Sequence, residues 1–247
     1  MCTVVILRRP GHDWPLILGA NRDEMGDRPW KPPARHWPDR PDVVAGRDEL
    51  AGGSWMGLND QGVVAAILNR RGSLGPAEGK RTRGELVLDA LDHADAADAA
   101  KSLGALASEA FRPFNMVIAD DRDAFWLKSL GTGRVLVEKL PPGLSMVTAY
   151  DRNDMNSARI AANLPQFEAA SPPDPDRDDW KDWETLLASR AGDGEARMNV
   201  ALPSGFGTSS SSLLALPDRS RESERRAVWR FAAGAPDSHP YNLVKTR

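Results

Sequence analysis

The first 24 residues, Met1 to Glu24, read MCTVVILRRPGHDWPLILGANRDE. Thr3 to Leu7 is a short run dominated by β-branched side chains, and Pro15 to Ala20 is a second apolar run. RPGHDW between them carries turn chemistry, so the stretch predicts a β-hairpin turning at about Gly11 and His12. A turn at that place sets Cys2 against approximately Asn21 and lays Asn21, Arg22, Asp23 and Glu24 beside the thiol. Cys2 is the only cysteine of the 247 residues.

Working outward, DRPWKPPARHWPDRPD (27–42) is dense in proline and tryptophan and predicts an ordered loop rather than helix or central strand. DVVAG (42–46) and GVVAAILNRRG (62–72) read as strands joined through the glycine-rich LAGGSWMGLNDQG. Thr82 and Glu85 form a capping-box pattern, with Leu86, Val87, Ala90, Leu91 and Ala94 on one face of a helix that continues or restarts to about Ala110. FNMVIAD, AFWLKSL and GRVLVEKL predict a three-strand meander. NDMNSARIAANLPQF and DRDDWKDWETLLASRAG read as helices, and SSSLLALP and RRAVWRF return to strand. Strands, helix, strands, helices, strands is the order of an antiparallel α+β domain rather than of repeated βαβ units. One domain over 1–247 is expected.

Hydrophobic residues at 41% and charged residues at 27% are the composition of a folding globular chain. A net charge of -3 supplies no broad attraction to phosphate backbones or anionic membranes, so nucleic acid is not an expected partner. The four histidines, His12, His36, His93 and His239, are scattered, so no metal site is expected, and neither is a required cofactor. Thr3 to Leu7 is too short for a signal-peptide core and is followed by Arg8 and Arg9, and no run approaches the length needed to span a bilayer. The expected location is the cytoplasm, without integral membrane association.

The chemistry of the hairpin concerns Cys2. Loss of Met1 would give Cys2 both a thiol and a free α-amine, a nucleophile and a general base on one residue. A nearby guanidinium or ammonium favours the thiolate. Asp23 would fix the amine by a charge-assisted hydrogen bond, and Arg22 would hold the thiolate or a substrate oxygen. Asn69, at the end of AAILN, could donate its amide to an oxyanion. Cys2, Arg22, Asp23 and Asn69 are thus the candidate catalytic residues, with Asn21, Glu24 and Trp55 as candidate substrate-binding residues. The plain alternatives are a buried structural cysteine, a structural Arg22–Asp23 ion pair, and Asn69 as a turn cap.

Cys2 with NRDE, then AGRDELAGGSWMG, AAILNRRG and TRGEL, resembles the NRDE-motif family typified by transport and Golgi organisation protein 2. That family resembles in turn the amino-terminal-nucleophile (Ntn) hydrolases, in particular cysteine acylases. The resemblance implies an αββα sandwich of two antiparallel sheets between helix layers, and covers residues 2 to about 90 best. It places Cys2 on the nucleophile, Asp23 on the acylases' aspartate and Asn69 on their asparagine. Two positions depart from the pattern: Met146 or Ala149, according to alignment, stands where relatives carry asparagine, and Ser209 where they carry arginine. The expected activity is hydrolysis of a non-peptide amide through a thioester on Cys2. The alternative is a non-catalytic carrier of haem or another small molecule, with a thiolate or histidine on iron.

Other matches fail on their residues. GPAEGKRT (75–82) has Leu74 where a phosphate loop needs glycine and Arg81 where it needs Ser or Thr. DPDRDDWKDWE lacks the central glycine and final glutamate of a calcium loop. The serine run 208–212 reads as a strand edge, and RSRESERR (219–226) as a solvated mixed-charge turn.

Overall fold

The two apolar runs of the opening stretch pair directly: Thr3 lies opposite Asn21 and Arg8 opposite Leu16 in an antiparallel hairpin. The computed structural model describes residues 1–221 and 224–246. In chain order, β1 (Thr3–Arg8), β2 (Leu16–Met25), β3 (Trp30–Ala34), β4 (Val43–Asp48), β5 (Met56–Asn59) and β6 (Val64–Asn69) come first. Helices α1 (Gly84–Leu91) and α2 (Ala96–Gly104) follow, then β7 (Phe114–Ala119), β8 (Ala124–Ser129), β9 (Leu136–Lys139) and β10 (Gly143–Val147). The chain closes with α3 (Ala158–Ala169), α4 (Lys181–Ala188), β11 (Phe206–Leu216), β12 (Val228–Ala232) and β13 (Tyr241–Leu243).

The described chain divides into two compact units. The first, 1–28 with 141–244, is a six-stranded antiparallel sheet in the order β10-β1-β2-β11-β12-β13, with α3 and α4 packed on it. Val5, Ile17, Leu213 and Ala215 point to the helices and meet Ile160, Phe167, Trp183 and Leu187. Alternation along a strand therefore sends odd-numbered residues of β1 and β2 to the helix face and even-numbered ones to the other. Gly19 leaves room for this packing, since a Cβ there would stand 3.1 Å from the Trp183 ring.

The second unit, 29–140 with 245–247, is a seven-stranded antiparallel sheet running β3 to β9 in sequence order, with α1 and α2 packed on it. Its core joins Val43, Ala45, Ala65, Met116 and Ile118 to Leu86, Ala90, Ala99 and Leu103 of the helices. Asn59 ties the end of α1 to the sheet, its amide donating to the carbonyls of Leu91 (2.8 Å) and His93 (2.7 Å). Two antiparallel sheets with helices on them make this an α+β chain, as the order of elements predicted.

Several local expectations change. The hairpin register is one residue away from the expected pairing, so Asn21 faces Thr3 and not Cys2. In a strand that step moves a side chain to the opposite face. The proline-rich 27–42 segment contains a strand after all, β3, which tolerates Pro32 and Pro33 because it is an edge strand with an irregularity between Lys31 and Ala34. The capping box does not form: α1 has Arg83 as its N-cap without a side-chain bond, and Glu85 turns instead to Arg81 at 2.7 Å. The serine run is not at an edge, because β11 lies between β2 and β12 with Ser210, Ser211 and Ser212 buried. Of the mixed-charge turn, residues 222 and 223 lie outside the described residues. Its flanking Arg221 and Arg225 form ion pairs with Asp13 and with Asp218 or Asp176.

Among the described residues no helix is long and apolar enough to cross a membrane. No group of three or more His, Cys, Asp or Glu side chains there could hold a metal ion.

Candidate active site at the start of the chain

β2 carries its polar end, Asn21 to Glu24, past the end of the apolar pairing, beside the first residues of β1. Asp23, an odd-numbered residue, faces the helices and is almost fully buried. Its Oδ2 accepts from the Met1 amine at 2.8 Å and from Arg159 Nη1 at 2.9 Å, and its Oδ1 accepts from Thr208 Oγ1 at 2.7 Å. The buried carboxylate thus accepts from three donors, two of them cationic.

Arg159 enters from the first turn of α3, whose N-cap Ser157 accepts from the Ile160 amide. The guanidinium is only 1% exposed. Its Nη1 donates to the Met1 carbonyl, to Thr3 Oγ1 (2.9 Å) and to Asp23, and its Nε donates to the Glu195 carbonyl at 3.3 Å. Thr208 is held in turn by the amide of Val200, which donates to its hydroxyl at 2.9 Å.

Continued by one step, the β1–β2 register sets Cys2 level with Arg22, on the face away from the helices. Cys2 is half-buried, and its Sγ donates weakly to the Asp23 carbonyl oxygen at 3.5 Å. Burial, then the Asp23 carboxylate, push its thiol above the ordinary cysteine value; the Met1 amine and Arg22 pull the other way but do not win. With Met1 in place the two cations thus favour the thiolate, as expected of them, but burial and the Asp23 carboxylate outweigh them.

Arg22 is buried against β11. Its Nη1 donates to Ser209 Oγ at 3.0 Å, while that hydroxyl donates back to the Arg22 carbonyl at 3.2 Å, at the register shift between Thr208 and Ser210. Glu24 lies 3.6 Å from both Arg22 Nη2 and Arg28 Nε. Position 209, where the resemblance leads one to expect an arginine, thus holds a serine that receives a guanidinium from the next strand.

Asn21 has a different occupation from the expected substrate contact. Its amide donates to the carbonyls of Leu187 (2.9 Å) and Met198 (3.0 Å), and its oxygen accepts from Ser211 Oγ at 2.6 Å. It is a structural tie between β2 and the segments on the helix face. Met146 is fully buried in the helix-facing core opposite Val5, so it is Ala149, two steps beyond the β1–β10 register, that falls level with Cys2. Cys2, Arg22, Asp23 and Glu24 are brought together in the first unit. Asn69 and Trp55 belong to the second, where Asn69 ends β6 opposite Phe114 and Trp55 lies on Gly46, edge-on to Trp30 with ring centres 5.6 Å apart.

The family model described as Transport and Golgi organisation 2 matches residues 1–157. The chain belongs to that family. The family match contains Cys2, the NRDE residues, Trp55 and Asn69, whereas Arg159, Thr208 and Ser209 lie beyond it. The Mus musculus Transport and Golgi organization 2 homolog is 33% identical over 110 residues, 42% of this chain. The matched part spans only 38% of that relative's length. Among solved structures, a Caenorhabditis elegans N-acylethanolamine-hydrolyzing acid amidase ortholog superposes with a TM-score of 0.62 at 14% identity, over 92% of this chain and 98% of that one. A conjugated bile acid hydrolase from Clostridium perfringens gives 0.51 at 11% identity, over 99% and 97%. At these identities the likeness is one of fold alone: this Transport and Golgi organisation 2 family member shares the fold of those two hydrolases.

Arg159 and Thr208 are the residues that sequence reasoning missed. A signal for Arg159 existed: Ile160, Leu164 and Phe167 mark the buried stripe of α3, and Arg159 and Asn163 fall on the same stripe. A charged residue on a buried stripe needs a buried partner.

Proposed function

We propose that this chain is an amino-terminal cysteine hydrolase that cleaves a non-peptide carbon–nitrogen amide bond once Met1 has been removed. The observation that carries the reading is Asp23, a buried carboxylate that already binds an α-amine at the chain start, with its own backbone oxygen against the Cys2 sulfur. After Met1 is lost the Cys2 amine would take that carboxylate and act as the base.

The Cys2 sulfur attacks the substrate carbonyl carbon, forming the S–C bond while the thiol proton passes to the α-amine. The C–N bond then breaks and the leaving amine takes that proton. Water, deprotonated by the same amine, adds to the thioester and releases the acid and the thiol. Arg22, level with Cys2, steadies the sulfur as it gains charge. Glu24, 3.6 Å from Arg22 on the same strand, is proposed as a substrate contact. No cofactor is required by this chemistry, and a small amide is the proposed partner. The fold neighbours support the reading, being named for an acid amidase and a conjugated bile acid hydrolase.

The carrier alternative finds less support in the geometry. It would place a thiolate or a histidine on iron, and of these the Cys2 thiolate is disfavoured by burial and by the Asp23 carboxylate. The test is to prepare protein with and without Met1, verify each by intact mass, and incubate it with a panel of N-acyl amides. Amine release with a transient acyl adduct on Cys2, absent from Cys2→Ala and from the Met1-bearing protein, is expected. Equal turnover by the Met1-bearing protein would overturn the role of the free amine.

A further inference from the structure

Arg159 grips the carbonyl oxygen immediately preceding Cys2, and it does so from a fully buried position within the first unit. Its Nη1 carries two hydrogens yet faces three acceptors: the Met1 carbonyl, Thr3 Oγ1 and Asp23 Oδ2. In the ground state the donor is shared, so none of the three bonds has its full strength. An acceptor that became negatively charged would draw the N–H away from the neutral Thr3 hydroxyl, since a bond between two ions is about twice as strong as a neutral one. That is the property a transition-state donor needs, stronger interaction as charge develops than before it.

Ala149 lies level with Cys2 on the other side of β1 and offers only a methyl group where the family resemblance leads one to look for an amide. Arg159 is fixed by Asp23 and Glu195 and reaches one peptide unit from the nucleophile.

We propose that Arg159 is a catalytic residue, the oxyanion donor of the acylation step, with its Nη1 binding the substrate's acyl oxygen in the place now filled by the Met1 carbonyl oxygen. The inference rests on the hydrolase reading above. As the Cys2 sulfur bonds to the carbonyl carbon, the carbonyl π pair moves onto the oxygen and is held by the guanidinium. When the pair returns, the bond to the leaving group breaks.

The experiment compares two reactions of the same thiol in Met1-free protein. Acylation by 4-nitrophenyl acetate passes through an oxyanion and is read from the nitrophenolate burst and the acetyl mass on Cys2. Alkylation by iodoacetamide at the same pH forms no oxyanion and reads only the state and access of the sulfur. Arg159→Met should slow acylation by about 100-fold, the usual effect of losing one oxyanion donor, while alkylation stays within about twofold. Arg159→Lys, which keeps the buried charge and one donor, should recover about tenfold of that loss. It also decides the matter if Arg159→Met does not fold, by acylating about tenfold more slowly than the parent. Equal loss in both reactions would make Arg159 a support for the thiol and overturn the proposal, as would unchanged acylation. A parent protein that alkylates on Cys2 but is never acylated would sink the hydrolase reading, and the role of Arg159 with it.

Discussion

Asp23 and Arg159 meet at 2.9 Å, Oδ2 to Nη1, with both side chains withdrawn from solvent. The pair joins the end of β2 to the start of α3 and has the Met1 amine as its third member. Burying one charge without the other is far costlier than burying the pair, and breaking such a pair costs about 3–5 kcal/mol.

Asp23→Asn therefore destabilises the protein by about 3–5 kcal/mol, because the Arg159 guanidinium is left in a buried place without its carboxylate. Thermal or urea unfolding of the Met1-bearing protein measures this. Asp23→Ala should be at least as damaging. A loss below about 1 kcal/mol, the size of an exposed ion pair, would contradict the buried triad.

The raised thiol predicts the pH dependence of Cys2. A pKa above the ordinary value of about 8.5 leaves less thiolate at neutral pH than a free cysteine has. In the Met1-bearing protein iodoacetamide should thus react more slowly than with a free cysteine below about pH 8.5, and the rate should still be climbing beyond about pH 9. In the Met1-free protein an ammonium group sits on the same residue, and the curve should move to lower pH. Mass-spectrometric rates across pH check both, and a plateau below about pH 8 with Met1 present would be incompatible with the burial and the Asp23 contact.

The hairpin, the helices and most of the sheet were legible because they rest on local rules: alternation in VVIL and LILG, and helical spacing from Leu86 to Leu91 and from Ile160 to Phe167. β3 was not, since proline masks a strand that needs few ladder bonds at an edge. β5, β10 and β13 were missed because they are short and take their identity from neighbours. At the site, Cys2, Arg22 and Asp23 were legible through the hairpin alone. Arg159 and Thr208 were not, since they reach Asp23 from 136 and 185 residues away in sequence. The one-residue register difference also reassigned Asn21, a distinction that turn geometry sets and composition does not.

Asn21 supplies a separate test of that reassignment. Removing its side chain leaves the Leu187 and Met198 carbonyls without their shared donor, in a place where Asn21 itself is 1% exposed. Unsatisfied buried acceptors cost about 1–3 kcal/mol each. Asn21→Ala should lower stability by about 2–4 kcal/mol by urea unfolding. Where folded, it should leave KM for any substrate found within about twofold. A large rise in KM with little loss of stability would restore Asn21 as a substrate contact.

Gly46 offers a probe of the second unit. Trp55 lies flat against it, so an added Cβ would collide with the Cζ2 and Cη2 atoms of the ring. The ring cannot swing freely, because its neighbour Trp30 meets it edge-on at 88°. Gly46→Ala should therefore displace Trp55 and cost about 1–3 kcal/mol, the usual range for overpacking. Tryptophan emission reports the displacement as a red shift, and paired substitution with Trp55→Leu should remove most of the penalty, since the smaller side chain leaves room for the methyl. If Gly46→Ala were as stable as the parent with unchanged emission, the close contact between Gly46 and Trp55 would not exist in solution.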